Sequence, residues 1–253
     1  LGVVGSVVAP AIALVFTAAT GVLLVWDLKQ PKRFLFIFTK PNFRSWLVLG
    51  AIALSVYSAI AAAWLVFGAL REASAISSGA FDTAMTVLSA IAIPAAAATA
   101  GYTGFLFGQA EGRDLWQSPL LFWHLLVQAA MVGGGALVVA LPFVDLPATG
   151  DSYLIHVLVV ATVAHLVVVL LELGGRHATR GAAVAAHMIT RGRYAPLFWT
   201  AGIGLAAVAV GIGAFSWQAT AADAAVAAAV LVQAAILAYE SCFVRAGQDV
   251  PLS

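Results

Sequence analysis

The sequence predicts an all-α fold, a polytopic bundle of transmembrane helices, and three observations lead there. Hydrophobic residues make up 63% of the chain and the mean hydropathy is +1.03, far outside the range of a soluble globular domain. Apolar segments of about 20 residues with almost no charge recur, each long enough to cross a hydrocarbon core of about 30 Å. The cations between the segments fall almost wholly on one side.

Seven such segments run over residues 3–25, 46–70, 81–108, 120–141, 153–173, 196–215 and 222–244. No interval between them could hold a soluble domain, so residues 1–253 read as a single integral membrane domain. The first segment is too long and wrongly flanked for a signal peptide. Because the chain begins at Leu1 and enters a span almost at once, we expect it to be processed or to lack its beginning.

With seven spans the loops alternate between two faces. Lys29, Lys32, Arg33, Lys40, Arg44, Arg113, Arg176, Arg180, Arg191, Arg193 and Arg245 share one face and Arg71 lies on the other, eleven against one. The positive-inside rule makes the basic face cytoplasmic. The ratio also supports the span count, since one miscounted helix would scramble it. A net charge of +1 points to neither a nucleic acid nor an acidic ligand. The single cysteine, Cys242, excludes a Cys-ligated iron–sulfur cluster and an intrachain disulfide. Any redox chemistry must therefore draw on metals in a partner.

Small residues crowd the spans in "IPAAAATAG", "GGGAL" and "AADAAVAAAV". In lipid such residues let helix backbones approach closely, and tight packing is their main reading. Pro94 should bend the third span and free a carbonyl. There is no internal repeat, which counts against transporters built from duplicated halves. The longest polar interval, 174–195, places Arg176, Arg180, His187 and Arg191 on one helical face. It reads as a short helix on the membrane surface or, equally, as a docking surface for a soluble partner.

Few residues in the spans can carry chemistry. Asp27 ends the first span with Lys29, Lys32 and Arg33 close behind. It is either a helix end anchored by snorkelling cations or a carboxylate at a cavity mouth that relays protons. Tyr102 lies about two turns inside the basic face beside Gly101 and Gly104, where its hydroxyl can donate to a quinone carbonyl and the glycines leave room for a flat ring. An interfacial tyrosine is also common in its own right.

His124 and Gln128, one turn apart on the fourth span, can bond a ligand or each other. His165 sits mid-membrane, with Glu172 seven residues on along the same stripe, and the pair reads as part of a proton path. His156 points to the other side of that helix. Glu240 is expected to pair with a basic residue, with Arg245 as the candidate. No two His or Cys residues have metal-ligand spacing on one face, and His124, His156 and His165 fall at three depths, so neither a metal site nor a haem of its own is expected.

The ordered set "DLKQPKRF", "SWLVLG", "YTGFLFG", "RDLWQSPLLF" and "RAGQDVPLS" resembles the NrfD-type membrane subunit of polysulfide reductase and related complexes. The resemblance spans nearly the whole chain. It implies a bundle of eight transmembrane helices of which seven are visible here, the family's first helix and its share of the quinone site being absent. It further implies that a menaquinone or ubiquinone binds beneath a ferredoxin-like iron–sulfur subunit, which connects to a catalytic subunit, often of the molybdopterin type. By position, Tyr102 matches the family's quinone-contacting tyrosine and Asp27 its acidic residue implicated in proton handling. Lys32, Arg33 and Arg245 fall in the motifs that would meet the iron–sulfur partner.

The polysulfide-reductase type carries that face exoplasmically, whereas the charge bias here favours a cytoplasmic partner and a bacterial inner membrane. The competing explanation is that the cations dock an acidic exoplasmic partner. Three functions stay open. One is a quinone-reactive anchor that exchanges electrons with the iron–sulfur partner. Another is a proton or ion translocator using His165, Glu172 and Asp223. The third is a purely structural anchor.

Overall fold

In lipid every backbone N–H and C=O must be satisfied within its own segment, so an apolar chain of this kind has helices as its solution. The computed structural model describes residues 2–27, 34–143, 148–219 and 221–251. The helices are α1 (Ala9–Asp27), α2 (Phe36–Thr39), α3 (Trp46–Glu72), α4 (Ser78–Gly108), α5 (Leu121–Ala140), α6 (Ala148–Gly174), α7 (Arg180–Thr190), α8 (Ala195–Leu197), α9 (Ala206–Ala219) and α10 (Ala222–Asp249). No strand occurs among the described residues. A π-helical stretch, Val4–Val8, leads into α1, and another, Phe198–Leu205, joins α8 to α9.

Among the described residues seven helices are long and apolar enough to cross a membrane: Val4–Trp26, Trp46–Glu72, Ser78–Gly108, Leu121–Phe143, Ser152–Gly174, Ala195–Gln218 and Ala222–Asp249. They coincide with the seven segments expected from hydropathy. The last differs most, because α10 carries its helix on through Arg245 to Asp249. α4 runs unbroken through Pro94, whose missing N–H leaves the Ala90 carbonyl without its usual helical donor.

The chain forms two compact units, Leu1–Leu106 and Phe107–Ser253. In the first, α1 and its π-helical lead pack on α3, and Ile60, Phe81, Met85 and Leu88 form the core between α3 and α4. The widened π turn is used for contacts: Trp64 Nε1 donates to the Gly5 carbonyl at 2.9 Å, and Ser6 Oγ lies 3.2 Å from Glu72 Oε1. Gly68 makes this approach possible, since a Cβ there would collide with the Ser6 backbone carbonyl. α2 seats Ile37 against Val48 and Ala51 of α3.

In the second unit α10 packs on α5, α7, α9 and the π-helical stretch, while α5 pairs with α6. Three buried seams step by three and four residues. They are Leu121, His124, Gln128, Met131, Gly135 and Val138 on α5; Ile155, Leu158, Thr162, His165, Val169 and Glu172 on α6; and Ala225, Ala228, Val232, Ala235, Tyr239, Cys242 and Ala246 on α10. That alternation keeps one stripe facing its neighbours along the whole helix. Gln233 Nε2 crosses from α10 to the Val132 carbonyl of α5 at 3.0 Å. Arg113 closes the far end of α10, its Nη1 donating to the carbonyls of Gly247, Gln248 and Val250 at 3.1, 2.5 and 3.0 Å. These are carbonyls that the end of a helix leaves without donors.

The polar interval forms α7, with Thr179 as its N-cap accepting from the Ala182 N–H at 3.2 Å. Ala185, Ala186 and Ile189 are buried, and α7 lies on α10.

The Gly68 contact predicts that Gly68→Ala lowers stability by about 1–3 kcal/mol through overpacking. Gly21→Ala, with nothing near its Cβ, should lose nothing. Thermal unfolding midpoints of the two variants in detergent check this, and equal midpoints would contradict it.

Candidate functional site

The polar residues of the three seams meet inside the second unit. The His124 imidazole lies between two residues of α6: its Nδ1 is 3.0 Å from Glu172 Oε2 and its Nε2 is 2.9 Å from His165 Nδ1. His165 and Glu172, seven residues apart, are separated by about 10 Å along their helix. One imidazole from α5 therefore spans the gap. Gln128, a turn further along α5, donates from Nε2 to Glu240 Oε1 at 2.8 Å and sits 3.4 Å from His124 Nε2. Tyr239 packs its ring edge-on to His165, with centroids 5.1 Å apart, and its hydroxyl reaches Glu172 Oε2 at 3.5 Å. His124, His165 and Tyr239 are each 1% exposed. Glu172 Oε1 is buried without a hydrogen-bond partner among the described residues.

Burying a lone carboxylate costs several kcal/mol, and an adjacent imidazole offsets that cost by taking a proton. The contacts here hold in two protonation states. With Glu172 ionised and His124 neutral, His124 donates through Nδ1 to the carboxylate and accepts at Nε2 from His165. With one more proton, His124 donates from both nitrogens and His165 Nδ1 becomes the acceptor. A proton can thus be taken up or released with the Glu172–His124–His165 contacts kept, while the Gln128 Nε2 approach to His124 Nε2 is a hydrogen bond only in the first state. Among the described residues no group of three or more His, Cys, Asp or Glu is placed to hold a metal ion.

Several expectations change. His124 and His165 do not lie at separate depths, because their ring nitrogens are in contact. Depth counted from helix ends assumes level ends, whereas α5 begins three residues before His124 and α6 ends nine residues beyond His165. Glu240 pairs with Gln128 rather than with Arg245, which is five residues on, roughly 140° round the helix, and exposed. Asp223 is exposed in the first turn of α10, about 24 Å along the axis from Tyr239, and is not part of the cluster. His156 does stay apart from the stripe, its ring tilted 59° against that of Trp217 with centroids 3.6 Å apart. Tyr239 had no part in the sequence reading, although "AYES" sets it beside Glu240 on the buried face of α10.

In the first unit, the glycine in contact with the Tyr102 ring is Gly50 of α3, where a Cβ would fall onto the ring carbons. Gly101 is buried and Gly104 half-buried on α4. One turn away Trp46 stacks on Phe105, with centroids 4.2 Å apart and planes 12° from parallel. Tyr102 is half-buried and its hydroxyl has no hydrogen-bond partner among the described residues. Asp27 is the last residue of α1. Lys32 and Arg33, and with them the charged turn, lie outside the described residues.

The fold and this cluster define a polytopic helical membrane protein with a buried, protonatable histidine–carboxylate centre. The family model for polysulphide reductase, NrfD, matches residues 3–251, and the chain belongs to that family. It is a membrane subunit of a respiratory oxidoreductase complex. No curated protein matches the chain.

Removing His124 would leave Glu172 buried without its partner. We expect His124→Ala to destabilise the protein by about 3–5 kcal/mol, against less than half of that for His156→Ala. Thermal unfolding in the same detergent measures both, and similar losses would refute the bridging role.

Proposed function

We propose that this chain is the quinone-reactive subunit of its complex, exchanging electrons between a ferredoxin-like iron–sulfur partner and the membrane quinone pool. A catalytic subunit, of the molybdopterin type, stands behind that partner. The reading rests on family membership and on one observation above others: Tyr102 presents a hydroxyl without a hydrogen-bond partner among the described residues, beside a helix approach that only glycine permits. An orphan donor next to a flat apolar wall suits a ring carbonyl. A bound quinone supplies two-electron chemistry coupled to two protons.

The chain's own residues bind and orient that ring, Tyr102 by donating its O–H and Gly50 by leaving the tyrosine free to lie flat on α3; Gly104 gives the same end of α4 room. Asp27, at the end of α1, is the proposed proton-exchanging carboxylate of this part of the chain. Lys32, Arg33 and Arg245 are the proposed contacts for the iron–sulfur subunit, on a basic face assigned to the cytoplasmic side of a bacterial inner membrane.

A second role is favoured by the buried cluster. His124, His165, Gln128, Glu172 and Glu240 form a centre that can load and release a proton inside the second unit. We propose that it moves protons during turnover. The same centre would serve a translocator without quinone chemistry of its own, and that reading makes quinone kinetics indifferent to Tyr102.

Tyr102→Phe removes one hydrogen bond, worth about 0.5–1.5 kcal/mol. Quinone turnover should fall by a factor of about 2–10 with the unfolding midpoint unchanged; wild-type quinone kinetics would remove Tyr102 from the site. In proteoliposomes containing the whole complex, Glu172→Gln should abolish any pH change beyond that of quinone chemistry and leave electron transfer running. A Gln variant with the full pH change would exclude the cluster from proton movement.

A further inference from the structure

A cleft of about 360 Å³ opens in the second unit between the last turns of α6, helix α7 and the π-helical stretch. Its wall has two chemistries. His177, His187 and Arg191 supply the basic part of the lining, and Leu170, Leu173 and Trp199 the apolar part. No carboxylate lines it, and none of the three basic side chains has an ion pair or side-chain hydrogen bond among the described residues. Arg191 is therefore a cation without a carboxylate partner among the described residues, flanked by two imidazoles.

The apolar end continues outward, with Leu170 52% and Leu171 63% exposed along α6, a surface suited to hydrocarbon. Trp199, at the junction, is pinned by donation of its Nε1 to the Thr190 carbonyl at 2.8 Å. Tryptophan is the residue that settles at the level of lipid headgroups. His187 lies on α7, which is seated by its buried Ala185, Ala186 and Ile189, and Arg191 is the C-cap of the same helix.

We propose that this cleft is a binding site for an anionic phospholipid. The headgroup phosphate accepts charge-assisted hydrogen bonds from Arg191 and from His177 and His187 when protonated, and an acyl chain lies along Leu170. A basic pocket between membrane helices suits anionic headgroups, and a guanidinium makes bidentate bonds to phosphate oxygens. A soluble anion would use the basic end alone, and a zwitterionic lipid, which has the same phosphate, would bring its own cation towards Arg191. The occupant with both parts is a lipid of net negative charge.

The test is native mass spectrometry of the full chain purified in neutral detergent. It is titrated separately with dioleoylphosphatidylglycerol, dioleoylphosphatidylcholine, inorganic phosphate and a short-chain ubiquinone. Phosphatidylglycerol should be retained in preference to the other three. Arg191→Gln should weaken that retention roughly tenfold, the loss expected for one charge-assisted contact, and Ala183→Leu, which fills the cleft without changing its charge, should also weaken it. Both positions are exposed, so the fold tolerates the changes. Equal retention of the two lipids, binding of phosphate alone with the same affinity, displacement of ubiquinone rather than lipid by the Leu variant, or phosphatidylglycerol retention unchanged in both variants would overturn the proposal.

Discussion

The contact between His124 and Glu172 is the constraint on which the second unit depends. A carboxylate held 8% exposed among apolar helices has no water to solvate it, so a proton-bearing partner must meet it at hydrogen-bond distance. That demand fixes more than two residues. His124 can reach both Glu172 and His165 only when α5 and α6 hold one axial offset. Gln128 can reach Glu240 only when α10 holds one rotation against α5. A slip of one residue turns a helix by about 100° and breaks these contacts together. Apolar packing alone tolerates such slips far better, since one alanine or valine substitutes for the next. The polar cluster thus selects one register from many of similar packing quality.

Close packing is what lets those short-range contacts form. Alanines occupy much of the α10 seam, and Gly213 sits where a Cβ would press on Val159. In lipid there is no hydrophobic drive bringing helices together, so contact area and backbone proximity carry the association. Arg113 adds a polar lock at the end of α10, binding three carbonyls that the helix leaves open. In the first unit the same logic appears twice with glycine, at Gly68 beneath Ser6 and at Gly50 beneath Tyr102.

The proposed quinone contacts and the buried histidine–carboxylate cluster fall on different stretches of the chain. The residues proposed to hold a quinone, Tyr102 and Gly50, belong to the first unit together with Asp27, and the cluster proposed to load protons away from the quinone belongs to the second. For a membrane subunit of a respiratory complex this division has a physical rationale. A ring that exchanges electrons must be reachable from the lipid and from a partner, while a proton carrier works best where water is excluded and every donor has one acceptor. Each requirement would compromise the other in a single pocket.

Segment length, hydropathy and charge placement were enough to determine an all-helical membrane bundle with these seven spans, because the bilayer imposes its thickness and its hydrogen-bond rule on any chain that enters it. The three-and-four spacing also marked His165 with Glu172, and His124 with Gln128, as sharing faces. Only the tertiary structure decided that these two pairs are one cluster, that Tyr239 and Glu240 complete it, and that the glycine under Tyr102 comes from another helix. Periodicity reports rotation about one helix axis and carries no information on the axial offset or the partner of that helix. Those are set by packing between segments distant in sequence, where the burial of a few polar atoms outweighs the near-equivalence of many apolar ones.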